Sequence, residues 1–182
     1  MEEKHFNEIK EKYDLYERNR LKNGKFLSKD TVVGYWGVTP LAETYELFKR
    51  INLGSHDNFL DLGSGDGRIV LLASLFGVKS HGIEFDSDLV NSSLLLRRKI
   101  DLEHFKNTKI IHNNFMEHDF SKYNVIFVSP DKPFRRKGFE KKLVDEMKGE
   151  LIVHGWEFHP KYLEKKEEHI IDGEKFIIYR ND

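Results

Sequence analysis

Apolar residues recur along this chain with two different periods. Between residue 3 and about residue 22, Phe6, Ile9, Tyr13 and Tyr16 are spaced by three and four among charged neighbours. That spacing predicts an amphipathic helix with one face that docks on something. Gly24 is placed to stop it, and a loop rich in Lys, Ser and Asp leads to Val32-Val33-Gly34-Tyr35-Trp36-Gly37. Thr39-Pro40 then reads as an N-cap followed by proline at the first helical position. The helix it opens runs through Leu41, Tyr45, Leu47 and Phe48 and ends near Gly54.

From Asn58 short apolar runs alternate with helical stretches. Phe59 to Leu62 predicts a strand, Gly63 to Gly67 a tight loop, and Arg68 to Phe76 a helix closed by Gly77. A second strand at Ser80 to Glu84 precedes a long helix from Ser87 to Phe105, capped by Asp86 or Ser87. Further strands follow at Lys109 to Asn113, Val125 to Val128 and Leu151 to Val153, with a helix from Lys137 to Met147 before the last. Alternation of this kind predicts a parallel sheet with helices on both faces. The pattern then changes: His169-Ile170-Ile171 and Phe176 to Tyr179 flank Asp172-Gly173, a strong hairpin signal. The expected fold is therefore α/β, a Rossmann-like three-layer sandwich whose mostly parallel seven-stranded sheet ends in an antiparallel hairpin. Residues 1–54 read as an N-terminal helical extension and residues 55–182 as the core.

Length and composition fit one such core. The chain has 182 residues, 38% of them hydrophobic, with 14 Phe and 7 Tyr to fill an interior. Its start is charged where a secretion signal would be apolar, and no stretch reaches the length of a membrane span, so a cytoplasmic protein without membrane contact is expected. The absence of cysteine excludes disulfides and thiolate metal sites. No metal site is expected, and His154 and His159 read as two solvated histidines after the fifth strand. Lys and Arg number 30 against 31 Asp and Glu, so no overall positive field draws the chain to nucleic acid. Only residues 132–142 (KPFRRKGFEKK) are locally basic, a run that reads as a solvated helix start and, second, as a grip on nucleic acid or an acidic partner.

The chemistry concentrates where the first strand ends. Asp61-Leu62-Gly63-Ser64-Gly65-Asp66-Gly67-Arg68 passes from strand to helix. Glycines at alternate positions let backbone turn tightly and approach a ligand with no β-carbon in the way. The pyrophosphate-binding pattern G-x-G-x-x-G requires glycine where Arg68 stands, which weakens a nicotinamide-dependent oxidoreductase reading. Glu84, at the end of the second strand, can accept from both hydroxyls of a ribose. After the third strand, Asn114 offers an amide acceptor and Phe115 a ring face.

The acidic residue followed by G-x-G-x-G resembles motif I of the class I, seven-strand S-adenosylmethionine-dependent methyltransferases, and the resemblance covers residues 58 to 130. It implies S-adenosylmethionine as cofactor. Gly63, Ser64, Gly65 and Gly67 would wrap its amino-acid end, Asp61 its ammonium, Glu84 its ribose, and Asn114 and Phe115 its adenine, with Phe85 a further cofactor-binding residue. Within that superfamily, the run DLGSGDGRI, the short length and the aromatic Thr-Pro segment are similar to small prokaryotic protein-lysine methyltransferases, distant relatives of the non-SET histone-lysine enzymes. The expected reaction is N-methylation, with a protein lysine as first acceptor. RNA or a small molecule, and a non-catalytic binding or partner-docking module, are the alternatives.

Acceptor-facing residues should follow strands four and five, outside the carboxyl ends of the sheet. Amino-methylating enzymes often carry [DNS]-P-P-[YFW] there. This chain keeps Ser129-Pro130 but continues Asp131-Lys132, which weakens a reading with a planar amine or amide substrate. Asp131 is the candidate base or ammonium ligand and Ser129 the positioning group. Tyr35, Trp36 and Trp156 are candidate aromatic walls for a sulfonium or alkylammonium. Methyl transfer is an in-line displacement, so alignment does most of the work and a base is needed only if the nucleophile arrives protonated.

Overall fold

The structure, a computed structural model, describes residues 2–100, 103–130 and 136–181. A seven-stranded sheet forms from β3 (Asn58–Leu62), β4 (Lys79–Glu84), β5 (Thr108–His112), β6 (Val125–Val128), β7 (Glu150–His154), β8 (Glu164–Ile171) and β9 (Glu174–Arg180). The order across it is β5-β4-β3-β6-β7-β9-β8. β3 through β7 pair in parallel, and β9 inserts antiparallel between β7 and β8. Order and direction are those of the class I methyltransferase fold.

Alternation along the central strands sets the layers. In β6, Val125 and Phe127 face one core cluster while Ile126 and Val128 face another, as side chains of period two must. The first cluster is covered by α1 (Glu2–Lys22), α2 (Leu41–Arg50), α3 (Arg68–Ser74) and the end of α4 (Ser87–Lys99). The second is closed by Phe139 and Leu143 of α5 (Phe139–Glu146), with Phe115 and Phe120. Phe6, Ile9 and Tyr13 of α1 belong to the same buried cluster as Phe48, Phe59, Phe127 and Phe176. Each such side chain taken out of water contributes about 1.5–3 kcal/mol, which fixes α1 against the neighbouring helices α2, α3 and α4. Among the described residues no helix is long and apolar enough to cross a membrane.

Asp172 and Gly173 both adopt positive φ, 47° and 90°, as a two-residue hairpin turn requires between β8 and β9. The edge strand β8 exposes Glu164, Lys165, Lys166, Glu167 and Glu168. Several elements depart from the sequence expectation, and α3 and α5 are also shorter than expected, at Arg68–Ser74 and Phe139–Glu146. Thr39 does not cap α2: the N-cap is Pro40, whose carbonyl accepts from the Thr44 hydroxyl at 2.7 Å. α2 stops at Arg50 because Asn52 turns left-handed. α4 stops at Lys99 rather than Phe105, and residues 103–107 form a separate 3-10 turn. The expected loop before Gly34 is a hairpin of β1 (Ser28–Thr31) and β2 (Gly34–Gly37), turning through Val32 and Val33.

Candidate active site

The tight turn after β3 is built on its neighbour β4. Gly63 and Ser64 both donate to the Ile83 carbonyl, at 2.9 and 3.0 Å, and Gly65 donates to the Glu84 carboxylate at 2.9 Å. The other Glu84 oxygen accepts from the Asp86 amide at 2.8 Å. Asp86 in turn caps α4 by accepting from the Asp88 and Leu89 amides. Gly63, Gly65 and Gly67 all hold positive φ, which an L side chain resists. At Gly67 a β-carbon would also run into the Ser93 side chain, and at Gly65 into the Trp36 indole.

A cavity of about 500 Å³ opens at the carboxyl ends of β3, β4 and β6. Its floor is Asp61, the glycine turn and Glu84; its far wall holds Phe115, Ser129 and Arg136. The hairpin of β1 and β2 forms the remaining side, through Asp30, Tyr35 and Trp36 among others. Three contacts hold the hairpin there. Lys29 pairs with Asp86 at 2.8 Å, Arg136 donates to the Val33 carbonyl at 3.1 Å, and Trp36 rests on Gly65 with Arg20 over its ring at 5.0 Å.

The cavity floor is acidic. Asp61 is 4% exposed, and burial, reinforced by the negative charges of Glu84 and Asp66, pushes its carboxyl well above the usual range. A cation placed beside it would relieve that strain. Asp66 is neutralised separately by Arg68, at 2.7 Å. Arg68 continues to Glu17 of α1 at 2.8 Å and to the Thr39 carbonyl at 3.4 Å, and lies over the Tyr13 ring at 4.9 Å. Burial disfavours its charge, but Asp66, Tyr13 and Glu17 together hold its ionisation above the ordinary value. The Tyr13 hydroxyl donates to the Asp66 carbonyl at 3.0 Å. Arg68, where the dinucleotide pattern has glycine, is therefore the bolt between α1 and the glycine turn.

Of the residues singled out in the sequence, Asp61, Gly63, Ser64, Gly65, Glu84, Phe115, Ser129, Tyr35 and Trp36 meet at this cavity. Gly67 lies behind it, where it starts α3. Phe85 is 41% exposed with its ring 6.4 Å from His112, away from the wall. Asn114 does not line the wall: its side-chain oxygen accepts from the Met116 amide at 3.2 Å and from Arg136 at 3.1 Å. Trp156 is outside as well, 60% exposed with the Lys175 ammonium 4.0 Å from its ring centre. Asp131 lies outside the described residues.

Sequence reasoning missed the hairpin, Arg136 as an individual residue, and the environment of His154. His154 is not solvated. It is 7% exposed, with Nδ1 2.7 Å from Ser129 Oγ and Nε2 2.9 Å from a Glu174 carboxylate oxygen. His159 is exposed and reaches the Tyr179 hydroxyl at 3.2 Å.

Strand order, the cavity outside the carboxyl ends and the acid-flanked glycine turn define a class I methyltransferase fold. The family model for "Histone methylation protein DOT1" matches residues 18–133, and this chain belongs to that family. Its sequence has no match among curated proteins. Among solved structures, it resembles an RNA methyltransferase from Salinibacter ruber in complex with S-adenosyl-L-homocysteine, with TM-score 0.63 and 21% identity over 78% of this chain and 92% of that one. A mutant of MtNAS in complex with S-adenosylmethionine gives TM-score 0.61 and 11% identity over 78% and 62% of the two chains. The PH0226 protein from Pyrococcus horikoshii OT3 gives 0.59 and 10% over 78% and 91%. At these identities the likeness is one of fold.

Proposed function

We propose that this protein binds S-adenosylmethionine in the cavity and transfers its methyl group to nitrogen, with a protein lysine as acceptor. The observation that carries the reading is the buried Asp61, its carboxyl ionisation pushed up by burial, beside Glu84 across the glycine turn. Two acids at the ends of adjacent strands suit a ligand with a cationic end and a vicinal diol better than a phosphate. The volume of about 500 Å³ also lies within the range of cofactor pockets.

In this reading Asp61 pairs with the ammonium of the amino-acid end. Each Glu84 oxygen, after accepting one backbone amide, keeps a lone pair for a ribose hydroxyl. Phe115 and the Arg136 guanidinium, 4.6 Å from the Phe115 ring centre, supply planar surfaces for adenine. Tyr35 and Trp36 close the cavity and exclude water from the sulfonium. A protein acceptor is supported by the family, whose description is histone methylation, and by the balanced charge, which offers no broad field to phosphates.

The test uses methyl-labelled S-adenosylmethionine and a cell extract. Label should appear on protein, the enzyme's own lysines included, and survive nuclease treatment. Label confined to nuclease-sensitive or filterable material would refute the lysine acceptor and leave methyl transfer standing. No label in any fraction, although the cofactor binds, would make this a cofactor-binding module without turnover.

A further inference from the structure

Two parallel strands and an antiparallel neighbour bring three side chains into a row beside the cavity. Ser129 follows β6, His154 closes β7, and Glu174 opens β9, antiparallel to β7 and in register two residues from His154's partner Phe176. The separations are 2.7 Å from Ser129 Oγ to His154 Nδ1 and 2.9 Å from His154 Nε2 to Glu174. The imidazole is fixed in its plane by Phe176, stacked at 4.8 Å, and by Phe127 at 6.4 Å.

Hydrogen-bond direction follows from the end group. An ionised carboxylate can only accept, so Glu174 requires the proton on Nε2. Nδ1 then presents a lone pair, and Ser129 must donate to it. Thr39 donates its hydroxyl to Ser129 from the other side, at 3.4 Å. Ser129 lines the cavity and keeps an acceptor lone pair, while the Glu174 side chain is 41% exposed and opens the far end of the row to water. Glu174 is the ionisable group bonded to His154. Its neighbour Lys175 has its ammonium over the Trp156 ring instead, as alternation along a strand requires.

We propose that Ser129, His154 and Glu174 are a proton relay for the acceptor, with Ser129 touching the acceptor as a catalytic residue and His154 and Glu174 acting through it as positioning residues. The proposal rests on the methyl-transfer reading above. An alkylammonium has no lone pair, so one N–H bond must break before its nitrogen can attack carbon. That proton passes to Ser129 Oγ as the hydroxyl proton of Ser129 moves to His154 Nδ1. The imidazolium is held against Glu174 and releases its Nε2 proton to solvent there. Once the product leaves, the reverse shift restores the resting tautomer, with Nε2 regaining a proton from solvent, Nδ1 returning its own to Ser129, and the Ser129 hydroxyl proton passing to water in the emptied cavity. The nitrogen keeps the electron pair and forms the bond to the methyl carbon; the carbon–sulfur bond breaks and its pair stays on sulfur.

The experiment compares the wild type with Ser129→Ala, His154→Gln and Glu174→Gln. Long-range proton–nitrogen NMR of the histidines, with His154 assigned from the His154→Gln spectrum, should show the Nε2–H tautomer in the wild type, whatever the acceptor. Labelled methyl transfer to nuclease-treated extract protein is then followed against pH, with S-adenosylhomocysteine affinity measured by calorimetry. Transfer at neutral pH should fall about 100-fold in the Ser129 and His154 variants and less in Glu174→Gln. The wild-type rate should level off near neutrality, while the variants keep rising toward the ionisation of free lysine, at about 10.4. An Nδ1–H tautomer, or variants with wild-type rate and pH profile, would overturn the relay alone. No transfer by the wild type despite cofactor binding would overturn the reading beneath it.

Discussion

Trp36 and Gly65 are in direct contact: the indole of the β1–β2 hairpin lies so close to the glycine that a β-carbon there would overlap its Nε1 and Cδ1. Gly65 also holds φ at 53°. Gly65→Val must therefore displace the hairpin and strain the turn. It should lower stability by about 1–3 kcal/mol and abolish S-adenosylhomocysteine binding, as read by thermal denaturation and calorimetry.

The same contact makes Trp36 a reporter. Ligand entering the cavity must change the surroundings of this buried indole, whereas Trp156 is exposed and outside the wall. Binding should alter tryptophan fluorescence in Trp156→Phe and leave it silent in Trp36→Phe.

Asp61 links binding to pH. Burial, then Glu84 and Asp66, raise its carboxyl ionisation in the folded chain. Between the ordinary carboxylate range and that raised value, the folded state holds a proton that the unfolded state has lost. Stability of the free protein therefore falls as pH rises through this window and stays low above it. A ligand ammonium favours the charged form, so affinity should rise with pH across the same window, with proton release seen as buffer-dependent binding heats. Asp61→Asn should raise the melting temperature of the free protein at neutral pH and weaken binding at least tenfold.

Glu84 joins the glycine turn to the Asp86 amide. Glu84→Ala should weaken cofactor binding by about 1–3 kcal/mol, through lost charge-assisted bonds and a loosened turn. Glu84→Gln keeps one acceptor oxygen and should fall between the two in calorimetry.

Arg68 is 4% exposed and Asp66 1%. Arg68→Ala strands a buried carboxylate and should destabilise the protein by about 3–5 kcal/mol. Hydrogen exchange should rise in α1 around Tyr13 and Glu17, which Arg68 ties to the turn. Glu17→Gln, at a side chain that is itself 23% exposed, should cost much less.

The core from Asn58 to Val128 was legible in the sequence because it is written locally, in short apolar runs, a glycine turn and capping residues such as Asp86. Asp172-Gly173 announced the terminal hairpin in the same way, through the φ > 0 that both positions adopt. The first hairpin gave no such signal. Ser28-Lys29-Asp30-Thr31 is polar, and Val32-Val33 is β-branched where turn-forming residues are usual. It is held by distant partners, Asp86, Arg136 and Gly65, which no local pattern reveals. The row of Ser129, His154 and Glu174 was hidden for the same reason, since it exists only once β6, β7 and β9 lie side by side. Arg68 was legible as a departure from the dinucleotide pattern, but its tie to α1 required the packed helix.

The charged outer strand has a consequence for how the sheet meets other proteins. An open β-edge is a template on which a foreign strand can grow. At β8 a newcomer would have to lie along Glu164, Lys165, Lys166, Glu167 and Glu168, giving up the hydration of several charges for each backbone pairing gained. The chain thus carries its own guard against fibrous stacking at the end of the sheet that its hairpin closes.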